Sequence, residues 1–411
     1  MKITCGGIFL FYVGIDIAST KHDCFITNEH GEVFSDSFTI ENNYDGFTQL
    51  REAIKAFSKQ TNDSKISIGL ESTGHYSQNI LLHLVKFDYS VFYINPLFID
   101  GYKKGKTIRK TKTDKLDCQL IASYLQQNID DLEPYKPTDT IYDELKILTR
   151  HRAFLVSERS KIKVNLKRLI TIVFPEYIDV FSSLYNETSL AILYRFPLPS
   201  QISKLEAEDI NVYVKKKFPH CRIDYTKFEQ IIELAKKTVG SKLSSYALEI
   251  KSLVNLINYF SDEIENIESQ IDKFVSKIDS DIFNIPGVSN VSGASLLGEI
   301  GSISKFRRAD QLVAYAGYDP AIYESGKYSS SSGKMAKRGS KYLRTMIWHI
   351  ALVIANHDEK YHLYYLKKKA EGLHHNKILG HIGKKFLRLL YSILKNNSKY
   401  QKSYQMPLTT I

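Results

Sequence analysis

The order of apolar patterns between residues 8 and 130 limits this chain more than anything else in it. IFLFYVGIDIAS is a strand pattern, rich in β-branched and aromatic residues. HDCFITNE, a turn holding His30 and Gly31, and VFSDSFTI follow, so this stretch reads as three strands in a meander. Residues 43–59 read as a helix with Phe47, Leu50, Ile54 and Phe57 on one face. KISIGLES is a buried strand, residues 76–87 are helical in pattern, and SVFYIN is a fifth strand stopped by Pro96.

Three hairpin strands followed by α-β-α-β-α crossovers predict a mixed sheet with helices on its faces. That is the order of an RNase H-like α/β domain. Four acids fall at telling places in it. Asp16 lies in the first strand, Glu71 ends the fourth, and Asp114 and Asp117 open the apolar-periodic segment KTDKLDCQLIA after the fifth. Carboxylates three residues apart share one face of a helix's first turn. A charge inside an apolar strand is costly unless it is paired or bound to metal. Taken singly, Asp16 also reads as an edge-strand or turn acid, Glu71 as a helix cap, and the Asp114–Asp117 pair as acids favoured by the helix dipole. Jointly they read as a carboxylate site for a hard cation such as Mg²⁺, the requirement of two-metal phosphoryl transfer.

The surroundings suit a phosphate partner. Lys103, Lys104, Lys106, Arg109, Lys110, Lys112 and Lys115 crowd the run around Asp114, and the formal net charge of +11 favours a polyanion. VGIDIAST also has the look of a phosphate loop from an actin-like sugar kinase. The second Asp-x-Gly loop and the Gly-rich adenosine segment of those proteins do not follow, and the basic excess fits a sugar poorly. The four cysteines, Cys5, Cys24, Cys118 and Cys221, have no CxxC spacing, so neither zinc nor a disulfide framework is expected. The apolar run Ile8–Val13 is too short for a signal peptide or a membrane span. A cytoplasmic protein with no membrane partner is expected.

ELKILTRHRAFLVSERSKIKVNLKRLITIVF reads as one long basic helix from Ile141 to Phe174, ended by Pro175. Residues 178–245 form a mixed insert without a clear pattern. From Tyr246 to Ile278 apolar residues repeat at alternating spacings of four and three, a coiled-coil seam. Its partner is either the 141–174 helix or a second subunit, with oligomerisation the favoured role. NIPGVSNVSGASLLGEIG is a Gly-punctuated turn between helices, similar to a helix-hairpin-helix that holds phosphate on backbone N–H groups. Within AIYESGKYSSSSGKMAKRGSKYLR, Lys334, Lys337, Arg338, Lys341 and Arg344 form an acid-free basic patch beside Ser325. Residues 341–356 and 376–394 read as amphipathic helices, and Lys367–Lys369 as a surface run.

YVGIDIAST, LESTGHYS, INP and KTDKLDCQLIA, then IPGV, ASLLGEIG, AYAGYDP, YESGK and KRGSKYLR, stand in the order of a known family. With them the chain resembles the DEDD-type insertion-sequence transposases, which join a RuvC-like N-terminal domain to a C-terminal transposase domain. Some members are bridge-RNA-guided recombinases. The resemblance implies that Asp16, Glu71, Asp114 and Asp117 are the acidic quartet binding Mg²⁺. It implies that Ser325 is the nucleophile forming a phosphoserine link, with Ser329–Ser332 nearby as alternatives. Expected partners are donor and target DNA, a structured guide RNA, and further copies of the chain as a homodimer or homotetramer. Lys104, Lys106, Arg109, Lys110, Lys112 and the C-terminal basic patch are the expected nucleic-acid contacts. The expected partition is a RuvC-like domain at 1–138, a helical and coiled-coil region at 139–280, a transposase domain at 281–360, and C-terminal helices and tail at 361–411. Alternatives are a RuvC-like hydrolytic nuclease without a serine nucleophile and a non-enzymatic nucleic-acid-binding protein.

Overall fold

A computed structural model describes residues 9–58, 64–71, 76–106, 114–137, 139–220, 224–319, 324–325, 328–329, 335, 337 and 339–400. The chain divides into two compact units, residues 1–137 and 138–411.

The first unit contains β1 (Phe9–Ile17), β2 (Lys21–Asn28), β3 (Val33–Glu41), α1 (Tyr44–Ser58), β4 (Ser64–Glu71), α2 (Gln78–Lys86), β5 (Ser90–Ile94), α3 (Pro96–Lys106) and α4 (Asp114–Asn128). The strands form one sheet in the order β3-β2-β1-β4-β5. β1, β2 and β3 pair antiparallel, whereas β4 pairs parallel to β1 and β5 parallel to β4. The meander followed by crossovers is thus present, and the α/β class holds for this unit. Alternation along β1 sorts its side chains between two layers. Val13, Ile15 and Ile17 join the core shared with Phe47, Leu50 and Ile54 of α1 and Ile80 and Leu84 of α2. Tyr12 joins the opposite core with Ile121 and Leu125 of α4. Gly14 lies on that second face, where a Cβ would stand 2.1 Å from the Cys118 carbonyl oxygen and 2.5 Å from the Ala122 nitrogen. The glycine therefore allows α4 to lie directly on β1, and Gly69 does the same on β4 beside Ile121.

The second unit is almost wholly helical: α5 (Thr140–Val173), α6 (Glu187–Arg195), α7 (Pro199–Ile202), α8 (Ala207–Lys217), α9 (Tyr225–Lys237), α10 (Tyr246–Val275), α11 (Asn290–Ile300) and α12 (Ala309–Tyr315), then the short hairpin strands β6 (Glu324–Ser325) and β7 (Tyr328–Ser329), then α13 (Lys341–His357), α14 (Glu359–Ala370) and α15 (His375–Asn396). The insert that carries no clear pattern in the sequence folds as α6 to α9. The Lys367–Lys369 run ends α14, and Lys368 pairs with Glu371 at 2.6 Å.

The apolar seam of α10 finds its partner within the chain. Ile250, Val254 and Ile257 pack with Leu166, Ile170 and Val173 of α5 and with the insert in one core. Ile264, Ile267 and Ile271 pack with Leu145 and Leu155 of α5 and with α11, α13 and α15 in another. Arg152 meets Glu268, Arg159 meets Ser261 and Arg168 meets Glu249. Partner numbers fall as α5 numbers rise, so the two helices run antiparallel. The cations of the long basic helix are in this way largely accounted for inside the unit, with Lys163 over the Tyr185 ring and Lys161 beside Glu158. Among the described residues no helix is long and apolar enough to cross a membrane.

Candidate active site

The acids of the first unit are ordered by strand register. Ile15 of β1 stands beside Leu70 of β4, so the next residues, Asp16 and Glu71, are neighbours on the α4 face. Asp16 lies near the end of β1 rather than midway along it. On its other side Asp16 pairs directly with Asp23 of β2, and Asp23 with Thr39 of β3. Thr39, Asp23, Asp16 and Glu71 thus form one row across four adjacent strands, roughly 4.8 Å apart by sheet geometry. Asp23 is 7% exposed and accepts a hydrogen bond from the Thr39 hydroxyl at 2.6 Å. Sequence reading missed Asp23. Its signal was the β1–β2 hairpin, because once that register is known Asp23 must face Asp16.

The start of α4 closes this row. Asp114 is its first residue, described by its backbone alone, and Asp117 follows within the first turn. Asp117 Oδ1 accepts from Lys103 Nζ of α3 at 2.5 Å. A lysine of the basic run therefore neutralises one of the four acids instead of standing free for phosphate. Cys118, next in α4, is fully buried. Burial, followed by the charges of Asp23 and Asp16, pushes its thiol up to about 12, so it stays protonated and adds no charge to the row.

The donor set is all carboxylate oxygen, which suits a hard divalent cation. Among the described residues no three His, Cys, Asp or Glu side chains are gathered closely enough to hold an ion. Asp16, Asp23 and Glu71 are spread along a line, and the fit to a cation rests on the chemistry of that row and on the helix start above it.

In the second unit, Ser325 ends β6 and pairs with Tyr328 of β7, while Glu324 pairs with Ser329. Ser325 and Ser329 thus lie on two paired antiparallel strands. Ser330 to Ser332, Lys334 and Arg338 lie outside the described residues, as do Arg109, Lys110 and Lys112 of the first unit; Lys106 is described by its backbone and Lys104 is exposed on α3.

The segment after the hairpin is tied to a buried acid. Glu299 of α11 is 1% exposed and receives Arg150 Nε at 2.6 Å, Arg150 Nη2 at 3.0 Å and the Ser340 hydroxyl at 2.6 Å. Burial alone would raise its carboxyl, but the hydrogen bonds from Arg150 and Ser340 prevail and hold it below the ordinary value. Ser340 Oγ also accepts from the Leu343 amide at 3.1 Å, capping α13. Gly339 has φ +89°, and a Cβ there would stand 2.0 Å from the Tyr315 carbonyl oxygen. Arg344 donates to the carbonyls of Lys337 at 3.2 Å and Ala316 at 3.5 Å. Lys337 and Lys341 are exposed beside this anchor.

The first unit thus carries the acid row, and the second carries Ser325 at the end of β6. Residues 13–175 match a family described as transposase, the DEDD type of IS110 elements, and residues 280–366 match one described as transposase of the IS116/IS110/IS902 family. The chain is 23% identical to a pilin gene-inverting protein of Moraxella lacunata, over 95% of this chain and 98% of that protein. It is 21% identical to an uncharacterised protein of insertion element IS116 from Streptomyces clavuligerus, over 94% of each chain. With an uncharacterised protein of IS900 from Mycobacterium paratuberculosis it shares 22% identity, over 95% of this chain and 96% of the other. The chain is a transposase, an enzyme of DNA recombination. It belongs to the IS110/IS116 family of insertion-sequence transposases.

Proposed function

We propose that this transposase cuts and rejoins DNA through a covalent serine link, with an RNase H-like first unit supplying the acids. The observation that carries the reading is the row Asp23, Asp16 and Glu71 beneath the helix start that bears Asp114 and Asp117. Asp16, Glu71, Asp114 and Asp117 are the residues assigned to hold Mg²⁺, and Asp23 stands beside Asp16 with its carboxylate bonded to the Thr39 hydroxyl. Bound there, Mg²⁺ would supply Lewis-acid stabilisation of phosphoryl transfer.

The chain's own groups do the rest. The Ser325 hydroxyl gives up its proton to one of the assigned carboxylates once brought to them, and its oxygen forms a bond to phosphorus. The bond from phosphorus to the leaving deoxyribose oxygen breaks, and that oxygen leaves as a hydroxyl. A hydroxyl of the incoming strand then attacks the phosphoserine and restores the serine. One phosphoester replaces another at each step, so rejoining needs no nucleotide hydrolysis. Lys104, Lys106, Arg109, Lys110, Lys112, Lys334, Lys337, Arg338, Lys341 and Arg344 steer and hold the backbone. Ser325 must reach acids of the first unit in its own chain or in another copy, which accords with a homodimer or homotetramer. A structured guide RNA would pair with donor and target and so supply sequence choice.

The test is Ser325→Ala. Labelled donor DNA incubated with the wild type and Mg²⁺ is expected to give a denaturant-resistant protein–DNA adduct, and the variant none, with DNA binding retained. Strand transfer at the wild-type rate by the variant would remove the nucleophile. Cleavage without any adduct in the wild type would make the enzyme a hydrolytic nuclease. One discrete RNA copurifying from the native locus is the expected result for guided recognition; its absence would return sequence choice to the protein.

A further inference from the structure

In the second unit, α5, α11 and α13 line a cavity of about 380 Å³. Its size falls in the range of small-molecule sites. No acid lines it. Ala153, Met346 and the ring of Tyr342 give it an apolar, partly aromatic wall, Ser295 adds a hydroxyl, and Lys341 stands at it as a cation, while Arg152 on the same wall is already paired with Glu268 at 2.6 Å. The Tyr342 ring is held in place: the Arg150 guanidinium lies 4.8 Å from its centroid and Lys341 Nζ 5.0 Å. Arg150 is itself locked by two hydrogen bonds to Glu299. The aromatic wall is thus pre-organised, and a ligand has little order to impose on it.

A flat apolar group carrying negative charge matches this lining, and that is the chemistry of a nucleotide. A base stacked in a duplex cannot enter; an unpaired one can be turned out of the stack and laid against an aromatic wall. We propose that the cavity receives one unpaired nucleotide of the DNA strand being exchanged, with its base against Tyr342 and Met346 and its phosphate near Lys341. The proposal rests on the reading that the enzyme handles DNA strands, and it places a base-holding pocket in the second unit, apart from the residues assigned to chemistry.

The test uses the full chain and a labelled duplex with and without a single-base bulge of 2-aminopurine, at one fixed salt concentration. The bulged duplex is expected to bind about tenfold more tightly, the scale of stacking one base on an aromatic side chain, with a change in 2-aminopurine emission. Thr345→Trp fills the cavity from α13 and Ala153→Phe fills it from α5. Each is expected to erase the preference and leave the affinity for plain duplex unchanged. A preference that survives both substitutions in folded protein overturns the proposal, as does equal affinity of the wild type for the two duplexes. A preference seen with bulged RNA alone overturns the assignment to DNA. Failure to bind any DNA overturns the underlying reading together with the pocket, whereas duplex binding without preference overturns the pocket alone.

Discussion

The two units treat a carboxylate in opposite ways. In the second, Glu299 is sunk in a core with an arginine and a serine hydroxyl on its oxygens, and its charge is answered where it stands. In the first, Asp16 and Asp23 face each other on neighbouring strands with Glu71 alongside, so like charges are set side by side. Each close pair of acids costs free energy that a fold gains nothing from. Glu299 is answered by a cation, whereas Asp23 is answered by the Thr39 hydroxyl and stands one strand from Asp16.

The comparison can be broken by substitution. Asp16→Asn is expected to reduce Mg²⁺-dependent strand cleavage by about 10³-fold. Its thermal midpoint should stay near that of the wild type, since Asn keeps the size and shape of the Asp side chain. A variant that loses activity only by unfolding would place Asp16 with Glu299. Gly14→Ala should destabilise by about 3 kcal/mol, because the new methyl meets backbone atoms of α4 rather than a side chain that can move. Chemical denaturation measures it, and a stability loss under a third of that would mean α4 can lift from β1.

Glu299→Gln should destabilise by about 2 kcal/mol. That is below the cost of breaking a fully buried pair, because the Arg150 side chain is 41% exposed. The pH dependence has a definite sign. The Glu299 carboxyl is depressed in the folded state, so its contribution is full above the unfolded value of about 4.3 and is lost as pH falls through the folded value. The gap between wild type and variant should therefore close in acid; a constant gap would deny the ionic role. Lys103→Met should be smallest in stability, under about 1 kcal/mol. Freed of its ammonium partner, Asp117 should bind Mg²⁺ more tightly by calorimetry, and weaker binding would make Lys103 part of the site.

Much of the first unit was legible because period two is a strong signal. Val13, Ile15 and Ile17 announce one face and Asp16 interrupts the other. Asp23 was hidden because its importance lies in a pairing across the hairpin, which no local pattern states. The seam of α10 was equally plain, but its partner was not. Arg152, Arg159 and Arg168 read only as charges of one long basic helix until Glu268, Ser261 and Glu249 are seen opposite them, about a hundred residues away. The insert resisted reading because its helices are short; α7 has 4 residues and α6 has 9, too few turns to show a period. Glu299, in an apolar helix beginning NVSGASLLGEI, gave no local sign of an arginine 149 positions earlier in the chain.

The antiparallel α5–α10 pair has a mechanical meaning. At 1.5 Å per residue the 34 residues of α5 extend about 50 Å. One end of this strut is clamped in the core of the C-terminal helices and the other in the separate core of the insert. A strut with two independent grips behaves as a lever arm: torque applied at the insert is delivered, over that length, to the Arg150–Glu299 pair at the other end. Lengthening both helices by whole turns would change the reach of the arm while leaving each grip's packing intact.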